Sequence, residues 1–567
     1  MRVLIIDGYT DEPAGLGVPP YIDIYPRYIA GAVWSAVHNA EVVYVTIDSA
    51  RRDLVALKDL SRSSDLAVLI AGVTVPGKYL SGAPATWNDA LRLPGFLESK
   101  YKAICGPAAR FGFGRGGGSK SVKSGLSDLY DFVITGDPEA VIYRLMKEGF
   151  DAGVELDSVR GDASGSDRFA ARGAKIIRQH PLFPDGLICE LETFRGCPRS
   201  MIGGCSFCTE PLHGIPSFRT VRGIAEEVAA LHQEGAVNFR LGRQPDLLIY
   251  GTREVDVPNP SPNPAALRRL LSSVRRAAPS LKVLHIDNCN PATISDHPEL
   301  SEKALRAVVE FHTPGDTAAL GIESVDEEVV HRNNLKVDYD GAMLALSVIN
   351  RVGSQRGENG MPHLLPGLNF VYGLPGESKD TYELNFEFMK EAMESGLLFR
   401  RVNLRQVMVL PSTRMEAFGG YLAKKHRSFF LSHKLRVRQE IDLPMMRRIV
   451  PSMTVLKDVR TELNHGGITW GRQMGSYPVL VGIPRRLPVG ESLDALVLSH
   501  GPRSVGALRC PVRINELELR ELESIPGVGQ KRAASIIKNR PFPSLEAFLE
   551  KFGDVPQLVQ LAPFLEF

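Results

Sequence analysis

The chain has 567 residues, of which 44% are apolar and 23% charged, and these values exclude a fibrous or largely disordered protein. Its length accommodates roughly three or four domains, and its formal net charge of +2 argues against a basic surface over the whole chain. The seven cysteines are an odd number, and four of them crowd together between positions 189 and 208, which does not fit paired secretory disulfides. Because no apolar run is long enough for a signal-peptide core or a membrane span, we expect a cytoplasmic protein that does not bind membranes.

Short apolar runs alternate with helical patterns in residues 1–150. The runs that predict strands cover residues 3–7, 40–47, 66–73, 103–106 and 132–136. This alternation predicts a doubly wound, Rossmann-like α/β domain, whose ligands bind beyond the carboxyl ends of its parallel strands. The glycine-rich run 112–118 is open to two interpretations, a flexible surface loop or a phosphate cradle.

A second series of strand and helix patterns occupies residues 181–420. It is preceded by residues 151–180, which we predict to be a linker because they lack bulk and apolar periodicity. Strands are predicted at 187–191, 237–241, 283–287, 318–323, 368–372 and 402–410. A series of about six such units predicts a partial (β/α)6 barrel of the TIM type, with its chemistry at the carboxyl ends of the strands.

The pattern changes beyond residue 420. Residues 421–450 carry eight Lys or Arg and two Asp or Glu, while residues 466–510 are rich in Gly, Pro and β-branched residues. We therefore predict a basic helical segment and a β-rich region within 421–510, the latter a small barrel. The last domain, 511–567, is predicted to be helical.

Three thiols share one glycine-containing loop after the first strand of the second series: Cys197, Cys205 and Cys208. A structural zinc site would need a fourth ligand, for which Cys189 or His213 is available. Three cysteines alone suit a [4Fe–4S] cluster that leaves one iron open to a further ligand. Cys189 lies in an apolar run, so we expect it to be buried in a strand.

The cysteine loop resembles the Cys-x3-Cys-x2-Cys motif of the radical S-adenosylmethionine (radical SAM) enzymes. Cys205 and Cys208, with Phe207 before the last cysteine, match the second half of that motif, whereas the first spacing is seven residues instead of three. The resemblance implies that Cys197, Cys205 and Cys208 hold a [4Fe–4S] cluster. It also implies that S-adenosylmethionine (SAM) binds there and is cleaved reductively to a 5′-deoxyadenosyl radical, which abstracts a hydrogen atom from the substrate.

Later segments resemble further elements of the same family. Residues 320–324 resemble the fourth-strand element, which implies that Glu323 and Ser324 contact the ribose or methionine part of SAM. Residues 370–377 resemble the fifth-strand element and its Gly-Leu-Pro-Gly-Glu turn. This likeness implies that Gly373, Gly376 and Glu377 lie near the adenine.

The segment before the predicted barrel, residues 1–150, resembles the cobalamin-binding-type domain found before many radical SAM barrels. The cobalt-ligating Asp-x-His-x-x-Gly motif is absent, and His38 is the only histidine in this segment. Since relatives bind cobalamin with or without a protein ligand, cobalamin is an open third cofactor beside the [4Fe–4S] cluster and SAM.

Residues 525–534 resemble the hairpin of a helix-hairpin-helix motif. The resemblance implies that a nucleic-acid phosphate is held by the hairpin residues Gly527, Gly529, Lys531 and Arg532. The open alternative is a packing or protein-contact module. Residues 475–486 also resemble, at low specificity, an RNA-binding barrel of the TRAM kind.

These patterns together predict a radical SAM enzyme that modifies a nucleic acid, for which RNA is favoured over DNA. An electron donor such as ferredoxin or flavodoxin is expected as a partner. Two alternatives stay open: the same chemistry on a small molecule or protein, and a zinc-containing nucleic-acid-binding protein. Residues 421–567 hold 22 Lys or Arg and 14 Asp or Glu, a local charge of +8, while residues 1–420 carry −6. The net charge of +2 therefore hides a basic C-terminal part, where we expect nucleic acid to bind.

Overall fold

The computed structural model describes residues 1–10, 21–73 and 82–567, and its first part alternates strands with helices. The strands are β1 Arg2–Asp7, β2 Tyr21–Ile22, β3 Glu41–Thr46, β4 Leu66–Ile70, β5 Tyr101–Cys105 and β6 Phe132–Val133. The helices are α1 Ile24–Ala36, α2 Ile47–Arg52, α3 Leu54–Arg62, α4 Trp87–Arg92, α5 Pro107–Phe111 and α6 Pro138–Glu148.

Five of these strands form a parallel sheet in the order β3-β1-β4-β5-β6. The chain winds in both directions from β1, which confirms the doubly wound arrangement. Successive side chains of β1 enter different cores, since Val3 and Ile5 belong to one buried cluster and Leu4 and Ile6 to another. Both faces of the sheet are therefore covered, as the continuous apolar runs require.

The middle of the chain contains the longest series of parallel strands. Its strands are β7 Ile188–Glu192, β8 Phe194–Arg195, β9 Ser217–Phe218, β10 Asn238–Gly242, β11 Val283–Ile286, β12 Asn288–Cys289, β13 Asp316–Glu323, β14 Leu364–Tyr372 and β15 Val402–Gln406. Its helices are α7 Asp167–Ala170, α8 Val221–Gln233, α9 Pro264–Ala277, α10 Pro291–Asp296, α11 Pro298–Phe311, α12 Glu327–Asn333, α13 Tyr339–Gly353 and α14 Asp380–Glu394.

Two four-stranded sheets, which we call the central sheets, are built from these strands. One has the order β11-β10-β7-β2 and the other β12-β13-β14-β15, and only Asp287 separates β11 from β12 in the chain. All their pairings are parallel, as expected where helices connect the strands. The edge strand β2 comes from the first part of the chain, a contribution that the sequence does not predict.

The segment 151–180, which we expect to be a linker, packs on the first part of the chain. Phe169, Ile176 and Ile177 are fully or almost fully buried. The backbone carbonyl of Phe169 lies so close to Gly31 of α1 that a side chain at Gly31 would collide with it. Small apolar clusters too short to show periodicity thus anchor this segment.

The glycine-rich run 112–118 links the first sheet to the central sheet that contains β15. The backbone N–H of Gly118 donates to the Val407 carbonyl at 2.7 Å, and that of Ser121 donates to the Val409 carbonyl at 3.0 Å. A Cβ on Gly117 would lie 2.4 Å from the Cβ of Gln406, so this close approach requires glycine. The end of the run is thus fixed against the chain that leaves β15, while Arg115 and Gly117 are exposed. The surface loop and the phosphate cradle both stay predictions.

The last part of the chain contains helices, a closed five-stranded barrel and a helical end. Its helices are α15 Met415–Phe418, α16 Tyr421–Lys425, α17 Arg427–Val437, α18 Leu443–Ile449, α19 Leu519–Glu523, α20 Gln530–Lys538, α21 Leu545–Phe552 and α22 Pro556–Leu561. Its strands are β16 Val455–His465, β17 Ile468–Gln473, β18 Leu480–Ile483, β19 Ser492–His500, β20 Ser504–Cys510, β21 Val512–Arg513 and β22 Leu565–Glu566.

The barrel closes in the order β16-β17-β18-β20-β19, which confirms the small barrel expected in this region. A separate core joins it to the final helices, since Leu508 of β20 clusters with Leu522, Ile536 and Phe548. Among the helices in the described ranges, none combines the length and apolar character needed to cross a membrane.

Candidate active site

A cavity of about 440 Å³ lies where the carboxyl ends of the first sheet and the central sheets face each other. Arg110 of α5 and Asp137 after β6 line it on one side, while Glu192 and Glu323 line it from the ends of β7 and β13. Cys208 of the cysteine loop also borders it. This is the edge at which parallel α/β sheets bind their ligands.

The cysteine loop leaves β8 and turns back through a 3₁₀ turn, Pro198–Ile202. Gly203 and Gly204 follow with φ of 80° and 59°, left-handed values that glycine adopts without strain. The loop is fixed at its start by the Cys197 N–H, which donates to the Gly214 carbonyl at 2.9 Å. The glycines therefore allow the chain to return so that the three cysteines face one region.

The end of helix α12 clamps this loop. The backbone N–H of Ser206 donates to the Asn333 carbonyl at 3.0 Å, and its hydroxyl donates to the Asn333 side-chain oxygen at 2.7 Å. The side-chain amide of Asn334 donates to the carbonyls of Ile202 and Gly204, both at 3.0 Å. Since Asn333 and Ser206 are fully buried, the bonds between them lie away from water, whereas Ile202 in the first half of the loop is exposed.

The three thiols share one cationic neighbour, Lys336. Burial lowers the pKa of Lys336, but the nearby Cys205 and Glu323, followed by Cys208 and Cys197, outweigh this effect and leave that pKa raised. Burial raises the pKa of all three thiols, to about 11 for Cys197, and Lys336 opposes the rise at each of them. Lys336 therefore favours the thiolate form that binds metals.

The thiols do not form a cage for a single ion. Within residues 1–10, 21–73 and 82–567, no group of three or more His, Cys, Asp and Glu side chains has the arrangement of a single-metal site. A zinc ion requires four ligands that converge within about 2.0–2.3 Å of one point. In a [4Fe–4S] cluster each cysteine binds a different iron, so the thiols can stand further apart.

Glu323 ends β13 and lines the cavity beside Lys336. Its φ of 69° is a left-handed value that costs a non-glycine residue energy, and it coincides with a shift in the β13–β14 register. Burial raises the pKa of Glu323 to about 7, although Lys336 and Arg405 lower it. The carboxyl group is thus held in the cavity close to a cation, and its role in SAM binding stays a prediction.

The other predicted SAM contacts lie in a hydrogen-bonded network behind the cavity. Ser324 is buried and its hydroxyl is 3.3 Å from the side-chain oxygen of Asn385. Glu377 accepts hydrogen bonds from the Gly373 N–H and, at 3.0 Å, from the Tyr382 hydroxyl.

The glycines of this turn have a packing role of their own. Gly373 has a φ of 88° and Gly376 a φ of 91°. A Cβ at Gly373 would lie 2.5 Å from that of Ala423. The turn is therefore closely packed, while its contact with adenine stays a prediction.

Two arginines that the motifs do not reveal connect the two halves of the cavity. Arg160 and Arg195 both pair with Glu192, and Arg195 also pairs with Asp137 of the first part. Burial raises the pKa of Glu192, but these two guanidinium groups, followed by those of Arg243 and Arg219, outweigh it and lower that pKa to about 2. Arg195 stands two residues before Cys197, and this proximity is the only sequence signal for the pair.

The C-terminal hairpin is exposed. Gly527 has a φ of 83°, and Gly529 is the N-cap of α20 with open space where a Cβ would point. Lys531 is exposed, while Arg532 donates to the Asp554 carboxylate at 2.7 Å. The four predicted residues are therefore together at the start of α20, and phosphate binding there stays a prediction.

Comparisons with known proteins place the chain among archaeal relatives. No protein-family model matches it. Among solved structures it resembles the cobalamin-dependent S-adenosylmethionine radical enzyme OxsB, with a TM-score of 0.45 and 12% identity over 76% of this chain. The match spans about half of that enzyme, 56% of its length, and a likeness this distant assigns no activity.

Two relatives match along almost their whole length. An uncharacterized protein of Archaeoglobus fulgidus is 40% identical over 561 residues, 99% of both chains. The uncharacterized protein MJ0274 of Methanocaldococcus jannaschii is 42% identical over 509 residues, 89% of this chain and 92% of its own. Identity at this level over whole chains shows common ancestry, so the chain belongs to the same protein family as these two archaeal proteins.

Proposed function

We propose that this protein is a radical SAM enzyme that modifies a nucleic acid. The observation that carries the proposal is the position of Cys197, Cys205 and Cys208 around Lys336, at the carboxyl ends of parallel strands and beside a cavity. The motif in the cysteine loop supports it. We further propose that the central sheets are the partial barrel of this enzyme class.

The surroundings of the thiols fit a [4Fe–4S] cluster. Cys205 belongs to a buried apolar group that includes Leu374, Val407 and Met415, with Phe207 packed against it. Such a shell limits access of water and oxygen to a cluster. When bound, the cluster supplies the electron that cleaves SAM into methionine and a 5′-deoxyadenosyl radical.

SAM carries a carboxylate and an amino group, and among the charged side chains that line the cavity, Lys336 and Glu323 are the pair beside the thiols. We propose that Lys336 holds the carboxylate and that Glu323 accepts hydrogen bonds from the amino or ribose groups. The two residues already influence each other's pKa, so both stand at the same wall of the cavity. Ser324, Gly373, Gly376 and Glu377 would then support the shape of this wall.

The nucleic-acid part of the proposal rests on the C-terminal charge and the hairpin. Residues 421–567 carry a local charge of +8, and the hairpin has the exposed N–H groups and cations suited to a phosphate. We propose that α19 and α20 form a helix-hairpin-helix module that docks the strand. A ferredoxin or flavodoxin is the kind of electron donor that the reaction needs.

Cobalamin would have to bind without a histidine from the first part of the chain. His38 is exposed and follows α1, at the amino ends of the strands, whereas the cavity lies at their carboxyl ends. In size-exclusion chromatography, an aquocobalamin absorbance band that co-elutes with the protein would support this third cofactor. Cobalamin that elutes entirely apart from the protein would exclude it.

Anaerobic reconstitution with iron and sulfide tests the cluster. We expect about four irons per chain, because the three thiols hold one [4Fe–4S] cluster. We also expect an absorbance band near 400 nm, where iron–sulfur charge transfer absorbs. Zinc binding with no iron would refute the proposal and favour the zinc alternative.

A further inference from the structure

A second cavity, which we call the lateral cavity, lies between the two edge strands of the central sheets. It has a volume of about 330 Å³ and is lined by Tyr21 of β2 and by Arg401 and Arg405 at β15. In the part of the chain that the structure describes, no hydrogen-bonded ladder joins β2 to β15. The lateral cavity shares Asp287 and Glu323 with the first cavity, so a group that enters here reaches the thiol side.

Arginines concentrate at this opening. Arg401 has a φ of 67°, a strained left-handed value, and its Nε donates to the side-chain oxygen of Asn403 at 2.8 Å. Behind it, Arg438 and Arg503 both donate to the Val402 carbonyl, at 3.1 and 2.7 Å. Guanidinium groups are therefore held on both sides of the first residue of β15.

These cations repel one another. Burial, together with the neighbouring Arg438, Arg401 and Arg405, lowers the pKa of Arg503 to about 9, while Asp442 opposes them. Asp442 pairs with Arg438 and lies 3.9 Å from Arg503. An anion placed near Arg401 and Arg405 would relieve this repulsion.

The closed C-terminal barrel contributes one wall. The backbone N–H of Ser476 donates to His285 Nδ1 at 2.9 Å, and the Tyr477 hydroxyl donates to Asp287 Oδ1 at 2.7 Å. The Arg401 guanidinium lies 4.8 Å from the centre of the Tyr477 ring. The barrel that precedes the hairpin thus holds an aromatic ring at the entrance to the site.

A basic and aromatic surface continues outward from β15. Gln406 donates to the Ala423 carbonyl at 2.7 Å, so helix α16 lies directly beside the end of this strand. The exposed side chains that surround Ala423 in the sequence are Phe418, Tyr421, Lys424, Lys425, Arg427 and Phe429. Cations interleaved with aromatic rings are typical of surfaces that follow single-stranded nucleic acid.

We infer that the lateral cavity binds a phosphodiester of the substrate strand through Arg401 and Arg405, so that the adjoining nucleoside enters towards Glu323. This inference rests on the proposed function and specifies where its substrate binds. Arginine forks bind phosphate oxygens in pairs, and Arg438 and Arg503 add positive potential behind them. The surface around α16 accounts for a polymer rather than a free nucleotide, because it extends the cationic path beyond one phosphate.

Anisotropy of a fluorescein-labelled single-stranded RNA of about 12 nucleotides, which is within known site sizes, tests this inference on the full-length reconstituted protein. For Arg401→Gln with Arg405→Gln we expect binding at least about tenfold weaker and a salt slope smaller by about 1.4, because two phosphate contacts to a single strand are lost. The control Arg222→Gln removes an exposed arginine on α8 and should bind like the wild type.

Further arms separate the explanations. Arg401→Lys in place of Arg401→Gln, with Arg405→Gln kept, should restore part of the affinity that the double variant loses. A thermal unfolding midpoint equal to that of the wild type would show that the double variant folds. Adenosine 5′-monophosphate should compete only weakly; competition as strong as that of RNA would overturn the polymer part. Unchanged RNA binding by the double variant would overturn the phosphate site itself. If the wild type released no 5′-deoxyadenosine, the proposed function would fail while the binding result stood.

Discussion

The cysteine loop and the hairpin at residues 525–534 both turn on glycines with positive φ, yet they are held in opposite ways. The loop is clamped by the fully buried Asn333, and Cys205 is 7% exposed. In the hairpin, Lys531 is exposed and Gly529 faces open space. A site that handles radicals requires fixed geometry and exclusion of water, whereas a surface that docks a polymer requires access.

Cys205→Ala gives the largest expected effect. Without one of three thiolates the cluster is lost, so iron should fall from about four per chain to below about one after reconstitution. Cys510→Ser, at the end of β20 in the closed barrel, is the control and should keep its iron. Full iron content in Cys205→Ala would mean that the loop is not the cluster site.

Asn333→Ala tests the clamp. Its side chain bonds the Ser206 hydroxyl and donates to the carbonyls of Val329 and Pro375, both at 2.8 Å. Loss of these buried bonds should lower the free energy of unfolding by roughly 2–4 kcal/mol, as measured by urea denaturation. The exposed Gln530→Ala in the hairpin should change it by less than about 0.5 kcal/mol. Equal effects at both positions would remove the contrast between the two regions.

Charge reversal in the hairpin should leave the cluster intact and weaken polymer binding. For Lys531→Glu with Arg532→Glu we expect binding of the single-stranded RNA about tenfold weaker and a salt slope smaller by about 1.4, because two cations are lost. Lys303→Glu on the exposed side of α11 provides the control. Binding that does not depend on salt would favour the packing or protein-contact alternative for the hairpin.

A pH series sharpens the comparison of buried and exposed carboxyl groups. Burial raises the pKa of Asp7 to about 6, although hydrogen bonds from Tyr44 and the Tyr9 N–H lower it. The folded state therefore holds this proton more tightly than the unfolded state, and stability should fall as pH rises from about 4 to about 6.

Asp7→Asn should remove this dependence and stabilise the protein at pH 7.5 by roughly 1–3 kcal/mol. Thermal or urea unfolding at about pH 4, about pH 6 and pH 7.5 measures both effects. The control Asp554→Asn, which affects an exposed ion pair, should change stability by less than about 1 kcal/mol. An Asp7→Asn profile that still falls between these pH values would show that another group is responsible.

Local patterns predict much of this fold. Apolar runs locate β1, β4 and β5 because such strands are buried on both faces. The spacing of Ile224, Val228 and Leu231 predicts a helix over residues 221–234, and α8 ends one residue earlier. The two-residue strand β2 is too short to leave a pattern, and it pairs with β7 from a distant part of the chain.

The site is predictable only where a motif is continuous. The cysteine spacing identifies the three thiols, but Lys336 approaches them from the segment after α12, and Tyr477 reaches Asp287 from the closed C-terminal barrel. Such contacts depend on tertiary packing, which local sequence does not encode. The anchoring of the glycine-rich run 112–118 is hidden for the same reason, since the Gly118 N–H donates to Val407, which lies after β15.

Release of 5′-deoxyadenosine from SAM, measured by mass spectrometry after anaerobic reduction with dithionite, tests the central claim most directly. We predict release by the wild type and by Cys510→Ser, and loss of release in Cys197→Ala, Cys205→Ala and Cys208→Ala. A protein with a full complement of iron that leaves SAM intact, or a cysteine variant that still releases 5′-deoxyadenosine, would contradict the account.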